Sequence, residues 1–287
     1  MAESPAHRFG QILGDVLEAA IEPLLAQFAR EHDLYLDRKG ERPARSGKQV
    51  RWADSYGNSH DLDYVFERNG TDTEVGTPVA FIEAAWRRYT KHSRNKAQEL
   101  QGAILPLVET YKEAAPFIGA ILAGVFTTAA LTQLRSLGFH IVYFPYEEII
   151  QAFASTGIDA KFDEDTPDSE VLRKVRAWDK LPRKRRVRVG QLLLELRRQE
   201  IRQFMDALER MVSRKVSRIR ILPLHGTPVE WISVEDAVSF IEQYRETGAQ
   251  TLLVKYEVLV TYTNGDRIEG QFSAKGNAIQ FVLRAQH

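Results

Sequence analysis

The spacing of apolar residues changes period along this chain, and each change marks an element. Over residues 8–32, Phe9, Ile12, Leu13, Val16, Leu17, Ala20, Ile21, Leu24, Leu25 and Phe28 recur every three or four positions and line one face. That period predicts a long amphipathic helix. Glu18 and Glu22 lie one turn apart near the apolar face and read as a solvated flank, with a catalytic role as the alternative. Leu34 to Leu36 starts a short strand, and the polar, breaker-rich stretch 37–47 (DRKGERPARSG) reads as a loop. Its Arg38, Lys39, Arg42 and Arg45, with Lys48, are either solvated or available to a phosphate backbone. Residues 48–53 and 61–68 predict two strands around the turn 55–58, and 79–87 predicts a third. Three strands with tight turns make an antiparallel meander.

The period then returns to helical. Ala97, Leu100, Ile104 and Leu107 form a core-facing stripe in a helix opening at Lys91 or Ser93 and running to Lys112, with Pro106 inside it as a candidate kink. Strands are predicted at 117–126 and 139–144, with a helix at 128–137 closed by Gly138 and another at 146–155. This order predicts an α/β core, residues 1–160, with a mixed central sheet flanked by helices. The acidic, turn-rich DAKFDEDTPD at 159–168 marks a boundary. Residues 161–216 read as a basic helical region, and 217–287 as a small α+β unit. Within the latter, a strand is predicted at 219–222 and a helix at 234–247. A hairpin spans 252–263 and 266–274 around Asn264-Gly265, and 278–285 reads as a last strand.

Composition narrows the picture. The chain has 287 residues, 44% hydrophobic and 27% charged, enough for one large or two moderate globular domains. It has no cysteine, which excludes disulfides, thiolate zinc sites and cysteine nucleophiles and fits a cytoplasmic setting. The N-terminus lacks a basic segment followed by an unbroken apolar one, so no signal peptide is expected. The longest apolar stretch, 114–131, is interrupted by Pro116, Gly119 and Gly124 and reads as a buried strand with its flanks, not a membrane span. The formal net charge is zero, so any nucleic-acid signal lies in local clusters. One holds Arg87, Arg88, Lys91, His92, Arg94 and Lys96; the other, 180–188, includes Lys184 and Arg185. Cations at a helix start oppose the macrodipole, and a phosphate backbone would offset that cost.

Candidate chemistry concentrates in the first cluster. Asp61 and Asp63 share one expected strand and, by alternation, one face. Glu83 ends the apolar run Val79-Ala80-Phe81-Ile82, where a carboxylate has to be paired, metal-bound or at a sheet edge. Carboxylates on neighbouring strand ends suit a hard divalent cation. Trp86 reads as a core or rim residue, with stacking on a base as the alternative. The chain lacks a Gly-rich phosphate loop, a G-x-S-x-G elbow and zinc-type histidine spacing, so a small-molecule α/β enzyme ranks lower.

A helix leading into a meander, with Asp on its second strand and Glu ending the third, then a helix and a further strand, resembles the PD-(D/E)XK nuclease superfamily. The resemblance is to its restriction-endonuclease-like branch and covers residues 8–155. It implies a restriction-endonuclease-like core and Mg2+-dependent (or Mn2+-dependent) hydrolysis of DNA phosphodiester bonds. It also implies a homodimer and a role in restriction or phage defence. Asp61 or Asp63 would be the first metal ligand and Glu83 the second, with Glu99 as an additional carboxylate. The family pattern places a lysine two residues after the glutamate, and Ala85 stands there instead. Three readings stay open. Arg87, Lys91 or Lys96 supplies the cation; the chain is a DNA-binding or scaffold subunit that does not cut; or position 85 carries an inactivating replacement. On the first, Asp63, Glu83, Arg87, Lys91 and Lys96 are catalytic. Arg88, His92, Arg94, Lys184 and Arg185 contact DNA.

Overall fold

The computed structural model describes residues 4–223, 226–246 and 255–286, and the side chains of all of these except 90–93. Helix α1 (Pro5–Glu31) starts at Ser4, whose side chain accepts from the His7 N–H, with Pro5 in the first turn. Serine and proline at those positions set a helix start. Its expected apolar face, from Phe9 to Phe28, is buried. Next come β1 (Leu34–Arg38), β2 (Val50–Ala53), β3 (Ser59–Leu62), β4 (Tyr64–Arg68) and β5 (Thr77–Arg87). Then follow α2 (Thr90–Thr110), β6 (Phe117–Gly124), α3 (Thr128–Ser136), β7 (His140–Pro145) and α4 (Tyr146–Ala154).

The main sheet is five-stranded, in the order β1-β4-β5-β6-β7. β1, β4 and β5 pair antiparallel, and β5, β6 and β7 pair parallel. The mixed α/β class expected from the period changes is therefore present. Every residue of β6 is buried, because helices cover both faces of the sheet, and its sequence is accordingly apolar throughout.

The meander differs from expectation. Residues 50–53 do not enter the main sheet. They pair with 59–62 in a separate hairpin inserted between β1 and β4. The short strand at Leu34 takes the sheet edge instead, with Leu34 opposite Arg68. The single strand expected over 61–68 is broken at Asp63, where the chain bends between β3 and β4. The loop after β1 is also less free than its composition suggests. Arg42 is buried, donates to both Glu67 oxygens and to the Thr71 and Glu74 carbonyls, pairs with Asp37, and lies 4.1 Å over the Tyr35 ring. Arg45 also pairs with Asp37. These two cations brace the fold.

Helices α5 (Asp168–Asp179), α6 (Arg183–Leu196) and α7 (Arg198–Val212) pack on α1, α4 and the sheet. Val171, Trp178, Val189, Leu193, Phe204 and Leu208 belong to the same apolar core as α1 and β5. Region 161–216, expected as a segment of its own, thus completes the first core. Two glycines permit this approach. A Cβ at Gly119 would come 2.7 Å from Phe204, and one at Gly190 would come 2.9 Å from Ala20.

The C-terminal unit consists of β8 (Val216–Pro223), β9 (Val229–Trp231), α8 (Val234–Gln243), β10 (Tyr256–Tyr262), β11 (Arg267–Phe272) and α9 (Lys275–Ala285). Its antiparallel sheet runs β11-β10-β8-β9, and α8 and α9 close a separate core. The Asn264-Gly265 hairpin is as expected, and residues 252–254 of its first strand lie outside the described residues. The helix expected to reach 247 ends at Gln243, because the backbone turns extended at Tyr244. The last segment is a helix, not a strand. Ala278, Phe281, Val282 and Ala285 are the buried residues, at offsets of three, four and seven. Among the described residues, no helix is long and apolar enough to cross a membrane.

Candidate functional site

The site follows from a mismatch in strand length. β5 has 11 residues, and its pairing with β4 ends at Ile82 opposite Tyr64. On its other edge β6 stays paired as far as Arg87. From Glu83 to Arg87, one edge of β5 is therefore free of β4. Alternation sends Phe81, Glu83, Ala85 and Arg87 toward α2, and Ile82, Ala84 and Trp86 toward α1.

Asp63 bends across this open edge. Its Oδ2 accepts from the Ala84 N–H at 2.8 Å, and its own N–H donates to Glu83 Oε1 at 3.1 Å. The other Glu83 oxygen, Oε2, lies 3.5 Å from Lys96 Nζ on α2. Glu83 is only 6% exposed. Lys96 also lies 3.9 Å from Glu99, which is 3.5 Å from Arg87. Two carboxylates and an ammonium thus meet where β4 leaves β5.

Electrostatics mark the pair as strained. Burial, and then the Asp63 charge, pushes Glu83 up to about 7, with Lys96 opposing. Burial also raises Asp63, against the Ala84 N–H, Lys96 and Lys39. A third carboxylate feels the pair. Glu18 on α1 has solvent at its tip, yet surrounding protein and then Asp63 and Asp15 raise it, and Lys39 lowers it. Glu18 was expected to be a solvated flank rather than a catalytic group, and Lys39 a solvated or phosphate-binding cation. Helical spacing could not single out Glu18. Its relevance comes from the packing of α1 against the sheet.

Several expected site residues go elsewhere. Asp61 stands on β3 opposite Arg51 and accepts from it at 2.7 and 3.0 Å in an exposed pair. The bend at 63 separates it from Asp63, so the shared face disappears. Glu99 is exposed and paired with Arg87 and Lys96. Among the described residues no three His, Asp or Glu side chains converge as a metal-holding group, so the expected four-carboxylate set reduces to Asp63 and Glu83. Two carboxylates suffice chemically. Mg2+ keeps several waters and commonly takes one or two carboxylates plus substrate phosphate oxygens.

Arg88 is not displayed for a backbone phosphate. Its guanidinium sits 4.5 Å over Tyr146 and 5.1 Å over both Tyr89 and Phe162. Arg94 is exposed on α2, and Lys184 and Arg185 are exposed in the first turn of α6. The side chains of Lys91 and His92 lie outside those described. Ala85 is 5% exposed and packs in the α2-facing core with Phe81, Ala97, Leu100 and Leu122. Beside the carboxylates, along the open edge, lies a 490 Å³ cavity reaching Glu18, Ala84, Trp86, Arg88 and Lys96.

No protein-family model matches the sequence, and no curated protein matches it. Among solved structures, "Crystal Structure of Protein of Unknown Function AF1548" is similar at 10% identity, over 71% of this chain and 98% of its own, with a TM-score of 0.26. A superposition that loose carries no argument about fold or activity.

Proposed function

We propose that this chain is a metal-dependent nuclease that hydrolyses DNA phosphodiester bonds. The observation that carries the reading is the Asp63–Glu83 pair, crossed at the open edge of β5 with Lys96 on one Glu83 oxygen. The sheet order supports it: a helix, an antiparallel meander and a parallel crossover strand, as the resemblance to the PD-(D/E)XK superfamily implies. Asp63 and Glu83 would hold Mg2+ or Mn2+. When bound, such an ion polarises a phosphoryl oxygen and lowers the pKa of a coordinated water. Burial raises the Glu83 carboxyl, so a cation held there would displace its proton. Lys96 stands in for the lysine missing at position 85, offsetting charge on the phosphate and orienting the attacking water. Arg87, four residues past Glu83 on the same face of β5, and exposed Arg94 on α2 would hold the backbone. A homodimer acting in restriction or phage defence belongs to the same proposal.

A second reading keeps the fold but not the cutting: a DNA-binding or scaffold subunit. The observation favouring it is Ala85, packed into the apolar layer where the family has its lysine. One assay separates the two: cleavage of plasmid and linear duplex DNA with Mg2+ or Mn2+ against EDTA. The nuclease reading expects metal-dependent cutting that disappears in Glu83→Ala and falls about 10²-fold in Lys96→Ala. Asp61→Ala should cut as the parent does. Binding without cutting in the parent chain would favour the subunit; neither binding nor cutting would sink both.

A further inference from the structure

The cavity beside the carboxylates has a wall that phosphate hydrolysis leaves unused. Its 490 Å³ is far more than an ion and its waters require and falls within the size of small-ligand sites. Its lining includes Lys96, which contacts Glu83, together with Trp86, Arg88, Tyr89 and Phe162. Trp86 lies 5.7 Å from the Tyr146 ring, and Arg88 is wedged among Tyr146, Tyr89 and Phe162. The Arg88 Nε is buried and has no acceptor among the described residues. A buried donor without an acceptor is costly, so this guanidinium is held in place by the rings around it. Beyond the rings, Asp163, Glu164 and Asp165 are within electrostatic reach of Tyr89.

Aromatic faces with an interleaved guanidinium suit a planar, acceptor-bearing ring, and base stacking on such platforms tolerates any sequence. We propose that this cavity takes one unstacked nucleobase of the strand whose phosphate lies at Asp63 and Glu83. The substrate is then single-stranded or locally unpaired DNA. A paired base has both faces and its pairing edge occupied and has to be extruded before it can enter. This inference rests on the nuclease reading and specifies its substrate.

Binding by the full chain in EDTA tests the proposal without cleavage. The probes are a short single-stranded oligonucleotide carrying 2-aminopurine, its duplex, and an abasic deoxyribose-phosphate chain of the same length. The single strand is expected to bind about tenfold tighter than either the duplex or the abasic chain, with quenching of 2-aminopurine. Trp86→Ala should erase the preference for the intact over the abasic strand, and Trp86→Phe should restore it. Tyr89→Leu carries the same test if Trp86→Ala does not fold. Arg267→Ala, exposed on β11 and outside the cavity, should leave the preference unchanged. An intact-to-abasic ratio equal in parent and ring variants, with binding retained, overturns the base pocket alone, as does a duplex that binds at least as tightly as the single strand. Absence of binding to all three probes both in EDTA and with Ca2+ overturns the nuclease reading together with it.

Discussion

Burial and the Asp63 charge hold the Glu83 carboxyl near 7, well above the 4.5 of an ordinary glutamate. A carboxyl raised in the folded state favours the protonated protein. Its contribution to stability is fully present below about 4.5 and is lost as pH rises through about 7. Asp63 shifts in the same direction. The metal-free protein should therefore melt at a lower temperature at about pH 8 than at about pH 6, and Glu83→Gln should flatten that part of the profile. Thermal melts of both proteins across this range in EDTA check it; equal slopes would remove Glu83 as the cause. Divalent cations bind the charged form, so added Mg2+ should restore most of the stability at the alkaline end. The candidate pair was partly legible at this scale. Glu83 stood out because a carboxylate followed four apolar residues. The choice between Asp61 and Asp63 was not legible, since strand alternation treats them alike and only the bend at Asp63 separates them.

Among the elements, the loop after β1 shows how a basic stretch can be misread. Its composition is that of a solvated or phosphate-binding segment, yet Arg42 is an internal brace joining Glu67, Asp37 and the 71–74 backbone. Burial works against its charge, and Glu67, then Asp37, more than offset that. Removing one member leaves a buried charge without its partner. Arg42→Met is expected to cost roughly 3–5 kcal/mol in urea unfolding, whereas a solvated arginine would cost almost nothing. The last helix shows the opposite case, because its signal was present. Ala278, Phe281, Val282 and Ala285 fit a helical stripe, but a short apolar run fits either period.

Across the whole molecule, Arg214 ties the C-terminal unit to the preceding α/β part. It is nearly buried, donates to the Ala114 and Ala115 carbonyls, pairs with Asp266 at 3.2 Å, and lies 4.4 Å over the Tyr262 ring. Arg284 adds an outer pair with Glu113. Arg214→Ala leaves those acceptors unmet and should uncouple the C-terminal unit. Calorimetry is expected to resolve two transitions in the variant where the parent has one. A single transition in Arg214→Ala, shifted as a whole, would show that the apolar contacts alone couple the units.

The sequence by itself determined what depends on neighbours in the chain. The apolar stripe of α1, the continuous apolar run of β6, the Asn264-Gly265 hairpin and the isolated position of Glu83 are all local patterns. Tertiary structure decided everything that depends on where one strand stops beside another. β4 ends its pairing at Ile82, and that one register opens the edge on which Asp63, Glu83, Lys96 and the cavity meet. It also brings Glu18 and Lys39 toward the pair and leaves Asp61 on a hairpin with Arg51. Periodicity identifies the face a residue occupies, but the partner facing it is set by pairing between segments far apart in the chain, which no local pattern encodes.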